Sequence, residues 1–134
     1  MNTIKHTGRA IIMSELTREK EMLKLAIEAL EDKKAVDIKV IDITGISTIA
    51  DYFIIAGGTN RSQIQALADN VDEKLGRKGY TQRQVEGYET ANWVLMDYKD
   101  IIIHIFDHDN RLFYDIERIW RDGKEMSEEE LKAL

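Results

Sequence analysis

The chain has 134 residues, no cysteine, no proline and a formal net charge of −6, with 43% hydrophobic and 33% charged residues. That length holds one domain around one core. The missing cysteines exclude disulfides and thiolate metal sites and fit a cytoplasmic setting, and no apolar run reaches the roughly 20 residues that span a bilayer. An acidic chain is repelled by bare phosphate backbone, so nucleic acid is expected to be a minor contact at most.

Residues 1–13 read as a flexible N-terminal arm whose only charges are Lys5 and Arg9, with no signal-peptide core and with Met13-Ser14 as an alternative start. Ser14 suits an N-cap, and Leu16, Leu23, Ile27 and Leu30 recur at helical spacing, so a helix is expected from about Glu15 to Lys34. Val36 to Ile43 alternates as a strand that Thr44-Gly45 ends. Tyr52 to Ala56 is a short continuous apolar run, the pattern of a buried strand, and Gly57-Gly58-Thr59-Asn60 breaks it. Ile64, Leu67, Ala68, Val71 and Leu75 then fit an amphipathic helix, opened by an Asn60/Gln63 capping box and closed by Arg77-Lys78-Gly79.

A weak strand is expected near Gln84–Glu86, and strong strands at Trp93–Met96 and Ile101–Phe106 flank a tight turn. A last long helix carries Leu112, Phe113, Ile116, Ile119 and Trp120, and Gly123 stops it. Ser127 and Glu130 form another capping box, giving the acidic extension 122–134 a short mobile helix. The final strand pair must be antiparallel because its turn is too short for a crossover, while the strand–helix–strand stretch over 52–96 invites a parallel crossover. The fold class is therefore α/β (α+β): a mixed β-sheet with flanking helices, its domain spanning residues 14–121.

The glycine loop at Gly57-Gly58 joins a strand to a helix N-terminus, where free N–H groups can cradle an anion. It resembles the glycine-glycine-serine/threonine start of nucleotidyltransferases, yet GK[ST] and GxGxxG are both missing. The plainer reading is a tight turn in which glycine supplies positive φ. Those enzymes also need two carboxylates one residue apart on a following strand to hold magnesium. Neither strong strand has Asp-x-Asp. Asp107-His108-Asp109 has the spacing but falls at a strand end. His104 and His108 share no helix face, His6 lies in the arm, and no serine elbow or cysteine nucleophile exists. The chain reads as a binding protein with no catalytic residue, no metal and no cofactor. The alternatives are a nucleotidyltransferase-like enzyme or nucleotide-binding sensor, and a homodimeric scaffold.

The hairpin is more informative. With Tyr98-Lys99 as a two-residue turn, Asp97 faces Asp100, Leu95 faces Ile102 and Trp93 faces His104. One face then carries Trp93, Leu95, Asp97, Asp100, Ile102, His104 and Phe106; the other carries Val94, Met96, Ile101, Ile103 and Ile105. The aliphatic face reads as core. The mixed face has the makeup of a protein-binding patch or of a second core layer under another helix.

Several stretches together resemble the ribosomal silencing factors of the RsfS/Iojap family, over about Glu15 to Arg121: Ile46-Ser47 with Ala50 to Gly57; Glu86-Gly87; Trp93 to Tyr98; Ile102 to Phe106; Arg111 to Tyr114; and Glu117 to Trp120. The order and spacing of these pieces carry the resemblance. It implies a nucleotidyltransferase-like mixed-sheet fold without catalysis. It implies binding to the large ribosomal subunit through the ribosomal protein numbered fourteen, which blocks association with the small subunit and represses translation. It also implies a homodimer when free, and a docking surface that includes the Trp93–Asp97 strand and its neighbours. Taken with the mixed face of the hairpin, the expected docking residues are Trp93, Leu95, Asp97, Tyr98, Asp100, His104 and Phe106. The family commonly has glycine where Lys99 stands, and lysine disfavours the positive φ of a type I′ turn.

Overall fold

The structure, a computed structural model, describes the backbone of residues 2–109 and 121–134 and the side chains of 17–109 and 121–134. The helix expected around Leu112 to Trp120 lies outside the described residues.

Helix α1 spans Asn2–Asp32, so residues 2–13, expected as an irregular arm, continue the helix and Ser14 is interior rather than a cap. No proline interrupts the chain, and Gly8 costs a helix only about 1 kcal/mol relative to alanine, so nothing in the backbone forces a later start. Met22, Leu23, Ala26, Ala29 and Leu30 form its buried stripe. Helix α2, Arg61–Arg77, buries the five apolar residues expected of it: Ile64, Leu67, Ala68, Val71 and Leu75. Asn60 caps its start by accepting the Gln63 N–H at 2.8 Å. Its end is closed by Gly79 at φ +86, with the Tyr80 N–H donating to the Leu75 carbonyl at 3.0 Å.

The strands are β1 (Val36–Asp42), β2 (Tyr52–Gly58), β3 (Gln84–Glu86), β4 (Trp93–Asp97), β5 (Ile101–Asp107) and β6 (Lys124–Glu125), in the sheet order β3-β4-β5-β2-β1-β6. β5 is parallel to β2 and antiparallel to β4. The parallel crossover therefore closes on β5, one strand later than the sequence suggests. Burial explains the choice: Ile101 to Phe106 are all buried, which suits the interior of the sheet, whereas β4 leaves Trp93 exposed and sits nearer the edge.

Helices α1 and α2 cover one side, packing on Val40, Ile54, Ala56, Val94, Met96, Ile101, Ile103 and Ile105. Each fully buried aliphatic side chain there stabilises the fold by about 1.5–3 kcal/mol relative to exposure. The opposite side gathers a smaller cluster of Ile41, Ile43, Ala50, Phe53, Ile55, Ile102 and Phe106, with Leu95 against it.

The C-terminal extension is more firmly placed than a mobile helix. β6 pairs with β1, Ile41 against Glu125 and Asp42 against Lys124, and the Met126 N–H donates to the Val40 carbonyl at 2.8 Å. Helix α3, Glu128–Lys132, carries the expected Ser127/Glu130 capping box. Met126, Leu131 and Leu134 pack on the helix-side core. A two-residue strand has no readable periodicity, which is why sequence reading misses this anchor.

Candidate docking face

The β4–β5 hairpin slips by two residues from the expected register. Trp93 pairs with Phe106, Leu95 with His104 and Asp97 with Ile102. The loop is Lys99-Asp100, with the Tyr98 N–H donating to the Ile101 carbonyl at 2.9 Å. Lys99 takes φ +77, and the Asp100 N–H donates to the Tyr98 carbonyl at 3.1 Å, the geometry of a γ-turn rather than a type I′ turn. The Asp97 carboxylate steadies this turn by accepting the Lys99 N–H at 2.7 Å. Because a slip of two keeps side-chain parity, the two faces keep the membership read from the sequence.

The seven expected docking residues have different surroundings. Trp93 is 40% exposed, one of the exposed large apolar side chains among the described residues, together with Ile46 and Ile49. Leu95 is half-buried beside it. Asp97 is committed to its turn and to Arg83 at 3.1 Å, and Asp100 pairs with Arg18 at 2.6 Å. Tyr98 is buried on the helix side, where its hydroxyl donates to Asp72 at 3.3 Å. His104 and Phe106 share the face of Trp93 but are buried beneath the surface. Burial therefore removes Tyr98, His104 and Phe106 as direct contact area. The reason is topological: β5 lies inside the sheet, and a turn residue on the helix side has α2 over it.

Trp93 lies beyond the end of β3, which pairs only with Leu95 to Asp97, so no strand flanks its outer side among the described residues. Its ring stacks on Phe106, centroids 5.4 Å apart at 21°, and its Nε1–H donates to His104 Nδ1 at 3.0 Å. Phe53 meets the imidazole edge-on at 4.7 Å. Burial pushes the His104 imidazole down to about 4. Gly87 sets where β4 begins: it has φ +78, and a Cβ there would sit 2.0 Å from the Trp93 carbonyl oxygen. Sequence reading notes Glu86-Gly87 but not this contact. It quotes Ile46 only as part of the family resemblance and misses both Ile46 and Ile49 as exposed surface, whose signal is apolar residues inside a loop. Ile49 helps line a hollow of about 450 Å³ against the hairpin tip at Lys99 and Asp100.

The glycine loop corrects an expectation. Gly57 and Gly58 belong to β2, and neither has positive φ. They are glycines because there is no room: a Cβ on Gly58 would meet Ile64 Cγ1 at 2.6 Å, and one on Gly57 would meet Val36 Cγ2 at 3.0 Å. One amide of the loop that could cradle an anion is already used. Gln63 Oε1 accepts the Thr59 N–H at 2.7 Å, and Gln63 Nε2 donates to the carbonyls of Lys33 and Lys34. Asp107 accepts the Asp109 N–H at 3.2 Å, and His108 Nε2 meets Asp37 at 2.8 Å. The described carboxylates close enough to share a ligand are instead Glu19, Asp51 and Asp100. Burial, a hydrogen bond to Asp51 and the charges of Asp51 and Asp100 push the Glu19 carboxyl up to about 8. No helix among the described residues is long and apolar enough to cross a membrane.

Comparison with known proteins places this geometry in a family. The model for "Ribosomal silencing factor during starvation" (RsfS) matches residues 16–134. The chain is similar to the ribosomal silencing factor RsfS of Bacillus subtilis, 39% identical over 105 residues, covering 78% of this chain and 89% of the relative. It is 29% identical over 116 residues to the chloroplastic protein Iojap of Arabidopsis thaliana, covering 84% of this chain and 48% of that protein. A crystal structure from Bacillus halodurans matches with a TM-score of 0.73 at 36% identity, covering 80% of this chain and 97% of the other.

Proposed function

The chain belongs to the ribosomal silencing factor family, and from that membership we propose that it docks on the large ribosomal subunit through the ribosomal protein numbered fourteen and sterically blocks small-subunit joining, repressing translation. The family match over residues 16–134 carries the reading. The net charge of −6 supports a basic protein rather than phosphate as the main partner, with ribosomal RNA a minor contact. The action is steric and non-catalytic, in the cytoplasm, and the free protein is a homodimer. Trp93 and Leu95 form the contact, with Asp97 and Asp100 at the hairpin tip. Tyr98, His104 and Phe106 act from beneath by holding the hairpin.

The test is subunit joining followed on sucrose gradients. Added protein should lower the yield of joined ribosomes, and Trp93→Ala should relieve the block. An exposed tryptophan at the centre of an interface typically contributes on the order of 2 kcal/mol or more to binding. Unchanged joining at a saturating excess of the parent protein overturns the reading.

A further inference from the structure

His104 is 3% exposed, yet one of its two ring nitrogens has no partner: Nε2 is buried and unsatisfied among the described residues. The other nitrogen has one, the indole N–H of Trp93 at 3.0 Å. An indole nitrogen only donates, so Nδ1 must be the acceptor and carry no proton. The neutral ring then holds its proton on Nε2, which has no acceptor among the described residues. Burial keeps the imidazole neutral at pH 7, in agreement with the accepting role.

This arrangement is costly for folding alone. A buried polar group left unpaired destabilises a fold, while an apolar ring of similar size in the same place does not. Phenylalanine would also preserve the ring contacts with Phe53 and Phe106. What it would lack is the acceptor. The stack on Phe106 holds the plane of the Trp93 ring, and the bond to Nδ1 holds its rotation within that plane. Together they restrain both side-chain torsions of an exposed residue that would otherwise sample several rotamers.

We propose that His104 is a positioning residue for the docking face, holding the Trp93 indole in its contact orientation before a partner arrives. The proposal rests on the reading of Trp93 as a docking contact. It also specifies the chemistry of the partner patch. The only hydrogen-bonding group of the Trp93 side chain is used internally, so the patch over it is a flat apolar surface with no acceptor aimed at the indole nitrogen. Pre-ordering a side chain removes part of the cost of binding.

The full-length chain with His104→Phe, His104→Asn or Trp93→Ala tests this. Asparagine Oδ1, like histidine Nδ1, is bonded to Cγ, so it can restore the acceptor without the ring. The first readout is solvent exchange of the indole N–H resonances of the free protein, the Trp93 signal being the one lost in Trp93→Ala. The second is co-sedimentation with the large subunit. His104→Phe should melt no lower than the parent, expose the Trp93 N–H to exchange and dock roughly three- to tenfold more weakly, while His104→Asn recovers both protection and docking. Unchanged indole exchange in His104→Phe overturns the proposal. So does parental docking by His104→Phe while Trp93→Ala docks poorly. If His104→Phe does not fold, the Asn variant decides: loss of indole protection in a folded His104→Asn overturns it. If Trp93→Ala docks like the parent, the docking reading fails, and indole exchange alone still decides whether His104 holds the ring.

Discussion

Among the described residues each side of the sheet buries one carboxyl or imidazole side chain, and the two sides treat it differently. On the helix-covered side Glu19 is 6% exposed, with its carboxyl on Asp51, near Asp100 and the Arg18 guanidinium. On the other side His104 is 3% exposed, with one nitrogen bonded to an exposed tryptophan and the other without a partner among the described residues. The first arrangement closes on itself: a protonated carboxyl donates to a neighbouring carboxylate and ties α1 to the residue before β2. The second opens outward, because its only bond ends on a residue at the surface. A buried polar group with its partners supplied serves the fold. One left half-satisfied beside an exposed aromatic points to a demand other than folding.

Weakening the covered side should have the largest effect. Ile103 is fully buried under the helices. Ile103→Ala should cost about 2–5 kcal/mol of stability by urea denaturation, and the molecules that remain folded should dock as before. A loss of docking at full folding would mean that the two sides are not separable.

Next comes Gly87→Ala, which probes how the open side is placed. Positive φ and the 2.0 Å approach to the Trp93 carbonyl both oppose a methyl group. Strain at such a position costs on the order of 1–3 kcal/mol, and the start of β4 must shift to relieve it. The indole environment of Trp93 should change, which near-ultraviolet circular dichroism reads. An unaltered aromatic spectrum with parental stability would show that Gly87 does not set the position of Trp93.

The smallest effect should come from Glu19. Its folded-state carboxyl titrates near 8, above the ordinary 4.5, so the protonated form is favoured by folding. The stabilisation is fully present below pH 4.5 and is lost as pH rises toward 8. Glu19→Gln keeps a donor without the titration and should flatten the pH dependence of stability across that window. A parental slope in the variant would place the titrating group elsewhere.

Much of this was legible because periodicity encodes faces. The alternation in β5 and the stripe of α2 name the covered core before any coordinates, and the spaced segments from Ile46 to Trp120 carry the family resemblance. Face membership in the hairpin even survives a wrong register, since a slip of two residues preserves parity. Depth and partners were not legible. Nothing in the spacing says that β5 lies inside the sheet, which is what buries His104 and Phe106 while Trp93 stays open. Nor does it bring Glu19 to Asp51 and Asp100, or show that Gly57 and Gly58 are small because neighbouring side chains crowd them rather than because the chain turns. Local pattern was enough for the family, for the elements between Glu15 and Phe106 and for their apolar faces, but not for the early start of α1 or for β6. Register, strand order and the pairing of each buried polar atom came only from the folded arrangement. Local patterns record what a residue needs from solvent, whereas these depend on which distant residues meet it.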